Sequence, residues 1–462
     1  MVEVSAVSII STIRGWFSML LKSRAKDEFN IEAIGTEQMQ AWVNECVNIY
    51  QGNPCWIDTE DHIDTINFAK SLCSETARLA MLGTSIKIDG GARAKWLQEQ
   101  IDKVYFQLRA WVEYGCAYGT VILKPNGDTV DLYTPDMFEI THVTNDVIDG
   151  VVFHNWEKVD KKWYTRLEYH RFENGQYRIT NKCYVGDKPD DLKERVDISL
   201  TPWSELAEEV TAVNVDKPLF SPFRTPHANN IEMGSPYGLP IFSEAIQELR
   251  DLDIAYSRNS KEIKDSTRTV LLDSDTMTPP GMKVGYRPET TLPDFIKNVQ
   301  GNGQEMFYKE INPTLNTDTR LTGINALLSQ IGYKVGFSNG YFVFNETTGI
   351  QTATQVEADQ QRTIQFIKDV RDKLESCLGG LIYALDVFAS LYSLAPMGTY
   401  EAVYDFGDIT YNREEDRARW WGYVQAGKVP AWRFFVKFEG MTEEDAKTMT
   451  AEAQPKPTAL FQ

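Results

Sequence analysis

From residue 353 to 394 the sequence carries apolar side chains at three- and four-residue spacing, through Val356, Ile364, Ile367, Val370, Leu374, Leu378, Leu381, Leu385 and Phe388. That period is helical. An unbroken helix of this extent would be about 60 Å long at about 1.5 Å per residue, longer than most globular helices. Thr352, Ala353, Thr354 and Gln355 match the capping box that opens it, and Gly379 and Gly380 mark where a kink is expected. A chain of 462 residues also exceeds what one core organises, so two or more sub-domains are expected.

Upstream, residues 61–82 repeat apolar positions at helical spacing (Ile63, Ile66, Ala69, Cys73, Ala77, Ala80) until Gly83, and 92–114 does so through Leu97, Ile101, Val104, Leu108 and Trp111, with Gly115 and Gly119 as stops. Between 119 and 216 the period falls to two. Strands are expected at 120–123, 130–133, 150–156, 163–172 and 176–185, with Asn126, Gly127 and Asn174, Gly175 supplying tight hairpin turns, hence an antiparallel sheet. A run of prolines (Pro218, Pro222, Pro226, Pro236, Pro240) precedes a helix at 243–265 striped by Ile246, Leu249, Leu252, Tyr256 and Ile263. A second helix at 319–333 follows a Pro- and Gly-rich excursion at 276–303. Short helices are expected at 413–425, 431–438 and 442–451, and a strand at 400–406. The fold class is α+β.

The 66 acidic and 47 basic residues leave a net charge of −19, which argues against a general binder of nucleic acid or anionic membrane. A chain that encircles a polyanion without gripping it would, however, gain from an acidic surface. The six cysteines form no CxxC pair and read as small apolar residues of a reduced protein. The apolar run 7–21 is interrupted by Arg14 and lacks a basic start; it reads as an amphipathic helix packed on a neighbour rather than a signal peptide or membrane span.

Chemistry-bearing motifs are weak. Gly336, Phe337, Ser338, Asn339 and Gly340 satisfy GxSxG, yet a nucleophile elbow needs a strand before its serine and a helix after it, and here the order is wrong. There is no GxxxxGK[ST], and Gly301 with Gly303 lacks the strand–turn–helix setting of a dinucleotide fingerprint. His62, His142, His154, His170 and His227 have no partners at metal-ligand spacing, and Asp273 with Asp275 lacks the glycine and glutamate of a calcium loop. No cofactor, metal or catalytic residue is expected. Arg258, Lys261, Lys264 and Arg268 cluster late in the helix at 243–265, interleaved with Glu262 and Asp265.

The order of segments resembles the portal proteins of tailed bacteriophages, in the class of long-tailed phages of Gram-positive hosts. The resemblance is carried by Pro218, Leu219, Phe220; by Pro226, His227, Ala228, Asn229, Asn230; by the stretch from Gly234 through Ser235, Pro236, Tyr237, Gly238, Leu239, Pro240 and Ile241 to Phe242; by the helix at 245–256; by Ile324 to Ser329; and by Thr352 to Glu357. It implies a wing at 1–242 (helices 1–115, sheet 119–216), a first stem helix at 243–267, a clip at 268–317, a second stem helix at 318–335, a tunnel loop at 336–350, a long wing helix at 351–395, and a C-terminal wing strand and crown at 396–462. It also implies a non-enzymatic virion protein at one capsid vertex, made in the host cytoplasm. That protein would form a homododecameric ring through which double-stranded DNA is packaged and ejected without sequence specificity. Partners would be major capsid and scaffolding proteins, the terminase motor and a head–tail adaptor; no membrane is implied. The tunnel-loop residues facing DNA would be Phe337, Ser338, Asn339, Tyr341 and Asn345, and the channel-lining basic residues Arg258, Lys261, Lys264 and Arg268. Aromatic Phe337, Tyr341, Phe342 and Phe344 depart from the family's loop. The alternatives are a serine hydrolase using Ser338 and another head–tail adaptor ring protein.

Overall fold

The computed structural model describes residues 27–57, 62–127, 129–188, 192, 194–266, 269–273, 296–299, 308–311, 315–343, 353–407 and 413–452. The amphipathic run at 7–21, Arg268, Asn345 and most of the excursion at 276–303 lie outside them. Two units separate: residues 1–405 and 406–462.

The first unit opens with helix α1, Glu37–Tyr50, whose N-cap Thr36 accepts from the Met39 amide at 3.2 Å. Helix α2 is Phe68–Ala80, shorter than the periodicity at 61–82 predicts. Asn67 adopts a left-handed φ of 49° and its side chain caps the Lys70 amide at 3.4 Å. The residues just before it form a strap whose amides at Asp64 and Ile66 bond to Ser257 and Asp253. Strand β1, Ser85–Gly90, leads into helix α3, Ala92–Tyr118. Gly115 does not end this helix. A side chain there would collide with the Phe223 ring, so glycine permits close packing, and the stop is Gly119 at φ 79°.

Strands follow as β2 (Thr120–Asn126), β3 (Thr129–Tyr133), β4 (Phe138–Thr144), β5 (Val147–Val159), β6 (Lys162–Glu173), β7 (Gln176–Gly186), β8 (Glu194–Val196), β9 (Glu209–Val213) and β10 (Ser221–Arg224). They build two sheets rather than one. Antiparallel β4-β5-β6-β7-β8 has β9 pairing β7 beside it, while β2 and β3 join β10 in a separate three-stranded sheet. The pairs Asn145–Asp146 and Asn174–Gly175 take the positive φ that tight hairpins require.

Helix α4, Ile246–Asp265, rises from this body; β11 (Thr269–Asp273), β12 (Ile296–Val299) and β13 (Tyr308–Ile311) form a small sheet in the order β12-β11-β13, and helix α5, Thr317–Val335, returns. Helix α6 spans Ala353–Leu391 without interruption. At Gly380 a side chain would collide with Ser221, whose hydroxyl donates to the Cys377 carbonyl at 2.7 Å; the glycine there serves close approach to β10. Gln360–Leu391 is long and apolar enough to cross a bilayer by length and composition, but its stripe of Ile367, Val370, Leu374, Leu378, Leu381 and Leu385 is buried within the unit. Strand β14, Tyr400–Asp405, pairs antiparallel with β1.

One core joins Met39, Val43 and Val47 of α1, Phe138, Ile140, Val151 and Phe153 of the larger sheet, and Ala384 of α6. Five cysteines are buried and Cys55 is exposed; all six are free.

The second unit contains α7 (Arg413–Gln425), α8 (Ala431–Glu439) and α9 (Glu443–Glu452). Trp421 and Phe434 meet at 4.9 Å, Lys437 lies 4.3 Å from the Trp420 ring, and Arg417 pairs with Glu439 at 2.6 Å.

Candidate functional site

Helices α4 and α5 form an antiparallel arm. Their register follows from charged side chains at both ends: Glu248 near the base meets Lys334 at 2.5 Å and Gln330 at 3.1 Å, while Glu262 near the tip pairs with Arg320 and accepts from the Asn316 amide at 3.2 Å. Opposite charges on facing helices fix register more than they add stability, because these pairs are partly exposed. The base is anchored differently. Asp253, 3% exposed, accepts from Trp56 Nε1 at 2.9 Å and from the Ile66 amide at 3.0 Å, and burial raises its carboxyl pKa above the usual range. Towards the tip the arm keeps Tyr256 and Ile263 exposed.

Gly336, at φ 119°, ends α5, and a side chain there would collide with the Phe366 ring. The chain then turns under Phe337, which is fully buried among Tyr341, Phe342 and Phe366. Ser338 is buried too: its amide donates to Thr363 Oγ1 at 2.8 Å and its hydroxyl lies 3.0 Å from that same oxygen. Tyr341 donates to Glu75 at 2.5 Å; burial, then Glu75, pushes its phenol up to about 12, and Glu75 is itself held low by Arg78.

The side chains of Phe337 and Ser338, expected to face DNA, point inward. Phe337, Tyr341 and Phe342 close over one another with Phe366 as a small core. Asn339 is exposed and Tyr341 half-buried. Arg258, Lys261 and Lys264 are exposed along α4. His227 lines the same cleft as Ser338, but it stacks on Phe366 at 5.6 Å, and burial lowers its pKa. Among the described residues the hydroxyl partner of Ser338 is Thr363, not an imidazole. No group of His, Cys, Asp and Glu among them could hold a metal ion.

A second constellation has no counterpart in the sequence motifs. Inside the larger sheet, Glu168 Oε2 receives Lys124 at 2.5 Å, Arg166 at 3.1 Å and Asn155 at 3.2 Å, and Oε1 lies 2.8 Å from His170 Nε2. His170 Nδ1 is 2.5 Å from the Tyr177 hydroxyl. Burial would lift the Glu168 carboxyl, but Lys124, His170 and Arg166 together hold it well below the ordinary range; burial lowers Lys124 and His170. The only sequence signal for this cluster is the alternation of Arg166, Glu168 and His170 on one face of β6, with no indication that Lys124 of β2 would join them.

No family model matches the sequence, and no curated protein matches it. Among solved structures, a chain from the virion of a native gene transfer agent particle is similar over 89% of this chain and 95% of that chain, at 10% identity and a TM-score of 0.39. A likeness of that degree fixes neither fold nor role.

Proposed function

We propose that this chain is the subunit of a phage portal: a non-enzymatic ring at one capsid vertex through which double-stranded DNA passes, docked by a terminase motor and a head–tail connector. The observation that carries the reading is the arm, two antiparallel helices closed by a small sheet and set on a mixed helical and sheet body, followed by a glycine-bounded turn and a 39-residue helix. Two features favour a place among identical neighbours. The arm bears exposed Tyr256 and Ile263 towards its tip, surface that a ring of side-by-side copies would cover. The basic residues Arg258, Lys261 and Lys264 on α4 suit a lining that passes a polyanion, with an overall charge of −19 limiting the grip. Within the turn, where Asn339 is exposed and Tyr341 half-buried, this reading gives both residues a place facing DNA. In this reading the force for packaging comes from a separate ATPase.

Mass measurement in solution tests it. A closed ring of about twelve copies is expected, and a chain that stays monomeric at every concentration and salt condition would end the proposal.

A further inference from the structure

A cavity of about 710 Å³ lies between α3, the β2–β3 hairpin, strands β6, β7 and β9, and the C-terminal end of α6. Its two ends differ in chemistry. One wall is apolar: Leu206, Val210, Leu219, Ala384, Phe388 and Leu391. The other presents Lys124, Arg166, Glu168 and His170, with Lys124 and Arg166 side chains only 4% and 5% exposed.

Two observations indicate that the polar wall lacks a partner. First, charge does not cancel. Lys124 and Arg166 contribute two buried cations against the buried carboxylate of Glu168, beside a His170 whose pKa burial lowers; Lys103 and Glu205, one of each sign, line the cavity from exposed positions. Asp131 acts on Lys124 from the hairpin, where it is bonded to Asn126 at 2.6 Å, but it does not line the cavity. A buried net charge is costly unless a counter-charge is supplied. Second, Arg166 Nε, a donor, and Asn181 Oδ1, an acceptor, are both buried without a hydrogen-bond partner among the described residues, and both residues line this cavity. Buried polar atoms in folded proteins are ordinarily paired. The larger cleft of about 1030 Å³ beside His142 shows the contrast: there Asp149 is matched by His142, Thr144 and Arg171, and Asp146 by Arg224.

The geometry points to this cavity as a binding site for a small amphiphilic monocarboxylate, its carboxylate taken by Arg166 and Lys124 and its aliphatic body laid along the Leu219, Ala384 and Phe388 wall. The volume is in the range of small-molecule sites. A carboxylate neutralises the surplus cation and gives Arg166 a planar acceptor. A neutral amphiphile of the same length would fill the wall and leave the charge.

Decanoate, kept below its micellar range, is the probe, titrated into the full chain by calorimetry beside 1-decanol. Binding at one site per chain is expected, with decanol at least about tenfold weaker, a factor that corresponds to one good charge-assisted contact. Val210→Trp places a large side chain at the cavity wall from the partly exposed strand β9, away from the charged cluster. It should lose decanoate binding at least tenfold with an unchanged circular dichroism spectrum. Arg166→Gln should narrow the gap between decanoate and decanol. Absence of decanoate binding, equal binding of the two amphiphiles, or undiminished binding to a folded Val210→Trp variant would each overturn the assignment.

Discussion

Replacing Glu168 by glutamine keeps the shape of the side chain and removes the one negative charge between Lys124 and Arg166. Lys124, Arg166 and Glu168 are 4%, 5% and 10% exposed at the side chain, so bulk water screens them little. One amide oxygen can still accept a bond, but the new NH2 faces either two cations or His170. Removing one member of a buried charge pair costs about 3–5 kcal/mol, because the remaining ion is left uncompensated. With an unfolding entropy of about 2.1 cal/mol/K per residue over a unit of about 400 residues, that corresponds to a fall in Tm of about 4–6 °C. Calorimetry of both proteins reads it directly. The companion variant Lys124→Met with Glu168→Gln restores the parent's buried net charge and should recover at least half of the loss, a coupling of about 2 kcal/mol. The acid limb gives a further check. Because the folded-state pKa of Glu168 is depressed, its contribution is fully present above the ordinary glutamate value and is lost as pH falls below it; Glu168→Gln should flatten that limb. A single-mutant shift under about 1 °C, or strictly additive losses in the double variant, would refute the account of the cluster.

Two other perturbations probe separate parts of the molecule. Asp253→Ala leaves Trp56 Nε1 and the Ile66 amide without their acceptor at the base of the arm; a loss of about 2–4 kcal/mol is expected, with faster amide exchange at Ile66 and a milder effect for Asp253→Asn. Unchanged exchange at Ile66 would show that the strap is held by something else. His154, wholly buried, has its pKa pushed down to about 3 by burial, while the unfolded chain protonates this residue near 6.5. Stability should therefore fall as pH drops below about 6.5, by up to about 1.4 kcal/mol per pH unit from this group. In urea titrations between pH 7 and 4 the His154→Leu variant should lose less than the parent, and parallel slopes would sink the claim.

Elements dictated by local period were legible in the sequence. Helix α6 repeats its apolar stripe over 39 residues, too long a run for chance or for a strand, and Asn174 with Gly175 announces its hairpin. What escaped was set by tertiary partners. Helix α2 starts at Phe68 because Asp253 and Ser257, nearly 200 residues away, hold the preceding amides. Strand β4 carries register irregularities at His142 that blur its alternation. The Glu168 cluster draws on strands β2, β5, β6 and β7, so no window of sequence contains it. The GxSxG string was legible as a turn, but its inward Ser338 depends on Thr363 of another helix.

On helix α6 the backbone at Gly380 lies against Ser221 with no side chain between them. From there about 17 residues run back to Thr363, which holds the Ser338 amide of the Gly336 turn, a span of about 26 Å at about 1.5 Å per residue; in the other direction the helix forms the cavity wall at Ala384, Phe388 and Leu391. Glycine at 380 thus bears on two distant places at once: a bulkier residue there would press α6 away from β10 and disturb both the turn held by Thr363 and the cavity wall.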